Sequence, residues 1–204
     1  TYLAEKINQL AKKKNKDIKI NASYLLKNEE DLAKDKCNRL LYEVESNLEV
    51  TDFKANTNLN KIIVKTKKYN LVEYNGRALY LKGINSFNCK RYNCAITQFL
   101  DSITYYVKDD DYLGVRDIYK NIGITLYNQG SLDQALIYFN LSESASLEKD
   151  FNEIRRNSES TYYKALCYYK MNNYSIANRV LMECNRKDDR VKKLQNKIKQ
   201  KIAS

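Results

Sequence analysis

The chain repeats itself. Gly83, Gly123 and Ala165 stand 40 and 42 residues apart, and twelve residues after each comes an alanine: Ala95, Ala135 and Ala177. Four residues further on lie Phe99, Phe139 and Leu181, and three beyond those lie Ser102, Ser142 and Cys184. Small and bulky side chains recur in one order three times, as stacked supersecondary units require. Steps of four and three are helical, so each unit reads as a helix hairpin. A small residue on each of two consecutive helices lets them approach closely, and the ring or leucine is expected to fill the groove between one hairpin and the next. With no proline and only five glycines in 204 residues, the chain suits helices joined by short turns, because turn-rich β architectures draw on both residue types. The predicted fold class is all-α.

The turns and flanks extend this reading. Gly130 is placed to stop a helix in the left-handed conformation, and Ser131 with Gln134 has the spacing of a capping box for the helix that follows. Asn172 and Asn173 supply the equivalent stop in the third unit, with Lys90 a weaker counterpart in the first. The clear units run over about 76–108, 116–148 and 158–185. Upstream, 31–68 reads as a degenerate earlier hairpin, with Leu40, Leu41, Tyr42 and Val44 on one helix and Leu59, Ile62, Ile63 and Val64 on the next. Downstream, Val191, Leu194, Ile198 and Ile202 follow helical spacing among eight basic residues between 186 and 201. That segment is expected to be an amphipathic helix closing the array, its basic face in solvent. A formal net charge of +11 is therefore concentrated toward the end of the chain, with a second lysine cluster at Lys12, Lys13, Lys14, Lys16 and Lys19.

Several chemistries are disfavoured by what is missing. Without a single histidine, the common catalytic triads and zinc sites lose their usual base or ligand. Five widely spaced cysteines (Cys37, Cys89, Cys94, Cys167, Cys184) do not form a disulfide framework; they read as small buried hydrophobes in a reducing cytoplasm. Asp109, Asp111 and Gly114 occupy three positions of a calcium-loop template, but Leu113 and Lys120 stand where oxygen ligands are required. The acidic run is better placed as favourable charge at the start of a helix. The expectation is a binding protein with no enzyme activity, no cofactor, no metal and no membrane span.

The recurring small and bulky residues resemble those of the tetratricopeptide repeat, which implies antiparallel helix hairpins stacked in a right-handed superhelix. Leu79, Tyr119 and Thr161 stand where that repeat usually carries a bulky residue early in its first helix. The run 111–123, from Asp111 to Gly123, is similar to the long-helix subclass found in bacterial peptide receptors. At the start of the chain, Tyr2-Leu3-Ala4-Glu5-Lys6-Ile7-Asn8 and Asn21-Ala22-Ser23-Tyr24-Leu25-Leu26 resemble the closing part of an Xre-type helix-turn-helix domain, whose recognition helix would lie before Thr1. Together these features resemble RRNPP quorum-sensing transcriptional regulators. The resemblance implies three parts: the end of a helix-turn-helix domain over 1–28, repeats over 29–185, and a capping helix over 186–204. It implies a cytoplasmic regulatory domain that binds a short signalling peptide in its concave groove and touches DNA only through a helix-turn-helix largely absent from this chain, with a homodimer as a possible assembly. The alternative is a repeat scaffold binding another protein's linear segment.

In the repeat fold the first helix of each hairpin lines the groove. The resemblance with the spacing designates Arg77, Tyr80, Ile84, Phe87 and Asn88, then Lys120, Asn121, Ile124, Tyr127 and Asn128, then Glu159, Tyr162, Leu166, Tyr169 and Lys170. The candidate peptide-binding set is Arg77, Tyr80, Phe87, Lys120, Asn121, Tyr127, Asn128, Tyr162 and Tyr169. Asparagine amides can pair with a peptide's C=O and N–H while rings hold its side chains; the same rings at helical spacing can equally be packing.

Overall fold

A computed structural model of the chain describes residues 2–13, 29–47, 53–145, 159–184 and 187–203. Among the described residues there are ten α-helices and no strand: α1 (Tyr2–Lys13), α2 (Glu29–Glu45), α3 (Phe53–Tyr69), α4 (Val72–Asn88), α5 (Tyr92–Lys108), α6 (Tyr112–Gln129), α7 (Leu132–Ser144), α8 (Glu159–Lys170), α9 (Tyr174–Leu181) and α10 (Asp189–Ala203). The all-α class is as predicted. Helix α1 covers the first part of the segment likened to a helix-turn-helix; Asn21 to Leu26 and Lys14, Lys16 and Lys19 lie outside the described residues. No described helix is long and apolar enough to cross a membrane.

Five helix ends close in the same way. Asn70, Lys90, Asp110, Gly130 and Asn172 take φ of 54°, 58°, 53°, 92° and 60°. After each of them, the next N–H reaches back five residues: Leu71 to the Thr66 carbonyl at 3.0 Å, Arg91 to Ser86 at 2.9 Å, Asp111 to Tyr106 at 3.0 Å, Ser131 to Leu126 at 2.9 Å, and Asn173 to Tyr168 at 2.9 Å. This is the Schellman closure, which satisfies carbonyls that the helix end would leave open. The residue that follows is held near φ −85°, with ψ between 66° and 78°. Val72, Tyr112 and Leu132 then donate to the carbonyl two residues back at 3.0–3.1 Å, an inverse γ-turn that launches the next helix. Four of these turns fall at 70, 90, 110 and 130, so the 40-residue unit is geometrically two copies of a 20-residue helix-turn.

Lys90, the weak counterpart in sequence, makes the same turn as Gly130 and Asn172, and Asn70 and Asp110 add two more. The predicted capping box does not form: Ser131 is an N-cap residue without a side-chain cap bond. The capping side chain is instead Asp111, whose Oδ1 accepts from the Gly114 N–H at 2.8 Å. That assigns the acidic run the helix-start role expected of it.

The small and bulky markers meet in antiparallel pairs. A β-carbon at Gly83 would lie 2.5 Å from Cδ1 and Cε1 of Phe99, and one at Gly123 would lie 2.5 Å from Cε1 of Phe139. Each ring therefore lies directly on the glycine of its own hairpin, fully buried, rather than only between hairpins as expected. Both rings share one core with Ile118, Ile122 and Cys167, so the same side chains also join neighbouring hairpins. In the third hairpin Ala165, Ala177, Leu181 and Cys184 share a core with Val191, Leu194 and Ile198 of α10. The closing helix buries the predicted stripe except for Ile202, which is 55% exposed in the last turn.

The hairpins stack in two layers. Helix α3 packs between α2 and α4, α5 between α4 and α6, α7 between α6 and α8, and α9 between α8 and α10. The even-numbered helices form the other layer, with direct contact of α2 with α4, α6 with α8, and α8 with α10. The upstream segment is a hairpin, but Tyr42 (75% exposed) and Val64 (70%) face solvent, while Leu40, Leu41, Val44, Leu59 and Ile62 are buried. A helix buries only part of its circumference, so a consecutive apolar run cannot all face inward. Cys37, Cys167 and Cys184 are buried as expected, whereas Cys89 and Cys94 are exposed beside the α4–α5 turn.

Candidate functional site

The predicted binding residues lie on α4, α6 and α8, and most are linked across helices. Tyr80 of α4 is half-buried against Phe99 and Tyr106, with ring centroids 5.8 and 6.3 Å away. Its hydroxyl accepts from Nδ2 of Asn121 of α6 at 2.8 Å, and the same amide nitrogen donates to the Asp117 carbonyl at 2.9 Å. Burial pushes the Tyr80 phenol upward and the Asp117 charge adds to this, while the Asn121 bond opposes it. The phenol is thus neutral at ordinary pH. Lys120, on the same turn as Asn121, is 3.4 Å from Asp117 and 3.7 Å from Glu159 of α8.

A second set of links joins α6 to α8. The Tyr127 ring lies edge-on to Tyr163 with centroids 5.5 Å apart, and the Lys170 ammonium sits 3.8 Å from the Tyr127 centroid. Tyr163 also stacks on Phe139 at 5.8 Å and meets Tyr162 at 5.9 Å. Tyr162 carries the Arg190 guanidinium of α10 at 5.1 Å, and Arg190 in turn approaches Glu159 at 3.8 Å. Burial raises the phenols of Tyr127, Tyr162 and Tyr163. Their hydroxyls therefore stay protonated at ordinary pH.

The remaining predicted residues stand apart from these links. Arg77 makes a two-pronged bond to Glu45 of α2, both distances 2.7 Å. Phe87 meets Tyr92 at 6.0 Å and Tyr169 meets Tyr174 at 5.5 Å, each within its own hairpin near the connecting turn. Asn128 is exposed, its Nδ2 donating to the Ile124 carbonyl of its own helix at 2.8 Å. Asn121, by contrast, uses both amide protons inside the protein, which leaves its oxygen for any ligand.

Asp117, Tyr163 and Arg190 take part in these links and were not among the residues designated for the groove. Tyr163 falls at the same offset from Ala165 as Asn121 does from Gly123. Both reach a tyrosine of the preceding even-numbered helix, Tyr127 and Tyr80 respectively. The repeat offset was therefore a readable signal. Between α7 and α8, Glu143 accepts from Lys164 at 2.7 Å and from Thr161 at 2.9 Å. Among the described residues no three His, Cys, Asp or Glu side chains come together as a metal site.

Two concavities lie elsewhere. One of about 360 Å³ separates α3 from α5, with Lys67 and Ile63 facing Leu100, Thr104 and Tyr105. The other, about 540 Å³, is bordered by Lys36 of α2 and by Lys61, Val64, Lys65 and Lys68 of α3. No family model, curated protein or solved structure matches this chain.

Proposed function

We propose that the chain is the peptide-sensing regulatory part of a bacterial transcriptional regulator of the RRNPP type, its hairpins wound as a tetratricopeptide-like right-handed superhelix. A short linear peptide lies across the face formed by α4, α6 and α8. The observation that carries this reading is the run of tyrosine contacts along that face. Tyr80 of α4 is hydrogen-bonded to Asn121 of α6, and Tyr127 of α6 lies edge-on to Tyr163 of α8. An extended ligand meets aromatic walls and neutral hydroxyls along these helices, with the Asn121 and Asn128 amides on α6. Asn128, exposed and with its amide oxygen open, is the residue best placed to take a peptide N–H.

The test begins with a random heptapeptide library displayed on phage and selected on the full chain, followed by calorimetry with the enriched peptide. Asn128→Ala is expected to weaken binding by about 1–3 kcal/mol, the cost of one desolvated amide left unpaired. Asn121→Ala is expected to do the same while also releasing the Tyr80 hydroxyl. Unchanged affinity in the double variant would place any ligand on another surface.

A further inference from the structure

The charge of this protein is unevenly distributed along the array. Residues 92–144 carry three basic and seven acidic side chains, although the whole chain is +11. Helix α3, in contrast, holds Lys54, Lys61, Lys65, Lys67 and Lys68 and no acidic residue. Three of these, with Lys36 of α2, border the concavity of about 540 Å³, and no carboxylate contributes to its lining. Among the described residues, only Lys68 of the four has a carboxylate within ion-pair range, Glu29 at 4.0 Å.

The floor of this concavity is largely carbon. Val64 is 70% exposed in it, beside the lysine stems and the Tyr69 ring. A low-dielectric wall rimmed by cations concentrates the positive potential. Lys61, Lys65 and Lys68 stand four and three residues apart on one face of a helix, which spaces them by about 6 and 4.5 Å along its axis. That is a row of point charges, suited to a ligand whose negative charges also come in a row. The basic face of α10 is different. Its first turn is already neutralised, with Asp188 on Arg190 at 2.8 Å and Asp189 on Lys192 at 3.0 Å.

We propose that the α2–α3 concavity is a sequence-independent binding site for a nucleic-acid phosphodiester backbone. Lys36, Lys61, Lys65 and Lys68 contact successive phosphates, while the acidic α5–α7 region repels the strand and confines it to this end of the array. The contacts are to phosphate rather than to base edges, because lysine is a point cation, no arginine fork lines the site, and Asn60 is the one side-chain amide in the lining.

The experiment is fluorescence anisotropy of the full chain with labelled 20-nucleotide probes of mixed sequence: single-stranded DNA, single-stranded RNA and duplex DNA, titrated over a range of salt. Each phosphate contact contributes about 0.7 to 0.9 to the slope of log affinity against log salt. A Lys61→Gln, Lys65→Gln, Lys68→Gln variant is expected to lower that slope by about two to three, and the corresponding Lys→Arg triple variant is expected to restore it. The control removes the same charge from α10 with Lys193→Gln, Lys197→Gln and Lys199→Gln, and is expected to leave the slope nearly unchanged. The DNA and RNA arms identify which strand is preferred. Equal losses in the two Gln variants would reduce the effect to net charge and overturn the site, as would an unaltered slope in the α3 variant. Polyglutamate binding to the α3 face more tightly than any of the three probes would assign it to an acidic protein segment instead.

Discussion

The hairpin α6–α7 and the hairpin α8–α9 solve the same packing problem with different atoms. In the first, Gly123 has no β-carbon and the Phe139 ring lies flat in the space that one would occupy. In the last, Ala165 supplies a β-carbon and its bulky counterpart is the smaller Leu181, both essentially buried. The helices differ too: α7 has 13 residues, whereas α9 has 8. What the pair conserves is a small residue set against a larger buried one. Neither residue identity nor helix length is held constant.

The most severe way to break this comparison is to empty or overfill the crossing. Phe139→Ala is expected to cost about 3–5 kcal/mol and Leu181→Ala about 2–5 kcal/mol, since each leaves a cavity in a buried core. Gly123→Ala is expected to cost about 1–3 kcal/mol, because a β-carbon there meets the ring. Combining it with Phe139→Leu reproduces the chemistry of the last hairpin and is expected to cost less than the two single changes summed. Urea denaturation of the unsubstituted protein, Gly123→Ala, Phe139→Leu and the double variant measures the coupling. Strict additivity would mean that the glycine and the ring do not share a volume.

Alkaline titration sharpens the same contrast. Burial pushes the Cys184 and Cys167 thiols up from 9.0 to about 11 and about 12, and it pushes the Tyr106 phenol up from 10.0 to about 12. In each case the folded protein holds a proton that the unfolded chain gives up earlier, so stability is complete below the unfolded value and falls as pH rises toward the folded one. The decline is expected to begin above pH 9 through the cysteines and to steepen above pH 10 through Tyr106. Melting temperatures followed from pH 8 to pH 11.5 should show a later onset in a Cys167→Ala, Cys184→Ala variant and a shallower final slope in Tyr106→Phe. An identical profile in all three proteins would contradict the assignment.

The smallest effects concern the turns. Gly130 and Lys90 share one left-handed conformation, at φ 92° and 58°. Gly130→Ala is expected to cost about 1 kcal/mol and Lys90→Gly to gain up to about 1 kcal/mol, because only a side chain pays for that conformation. Among the caps, Asp111→Ala is expected to lose about 1 kcal/mol, whereas Ser131→Ala should change little, since that hydroxyl makes no cap bond. Thermal denaturation of the four variants orders them.

Much of the fold was legible because burial leaves a periodic record. Ala95, Phe99 and Ser102, and Ala135, Phe139 and Ser142, are buried on α5 and α7 at the helical spacing that first marked them. The turns were half legible. Gly130 and Asn172 belong to the residue types that accept a positive φ easily, but Lys90 does not, and its turn is held by the Arg91 N–H to Ser86 carbonyl bond and the packing on either side. The candidate site was the least legible. Sequence spacing brought Tyr80, Asn121 and Tyr127 to one layer of helices, yet it could not show that Asn121 spends its amide protons on Tyr80 and Asp117, or that Arg190 comes back over Tyr162.

The amino-acid sequence by itself determined that this protein is helical, that its hairpins repeat, and which small and bulky positions recur, because those properties depend on neighbours three to forty residues apart along one regular pattern. Only the tertiary structure decided whether a ring fills its own hairpin or the next, which cysteines face water, and where the lysines gather around a concavity that no carboxylate lines. Those outcomes depend on how far each helix is rotated about its axis when it packs, and a rotation of one residue moves a side chain by about 100°.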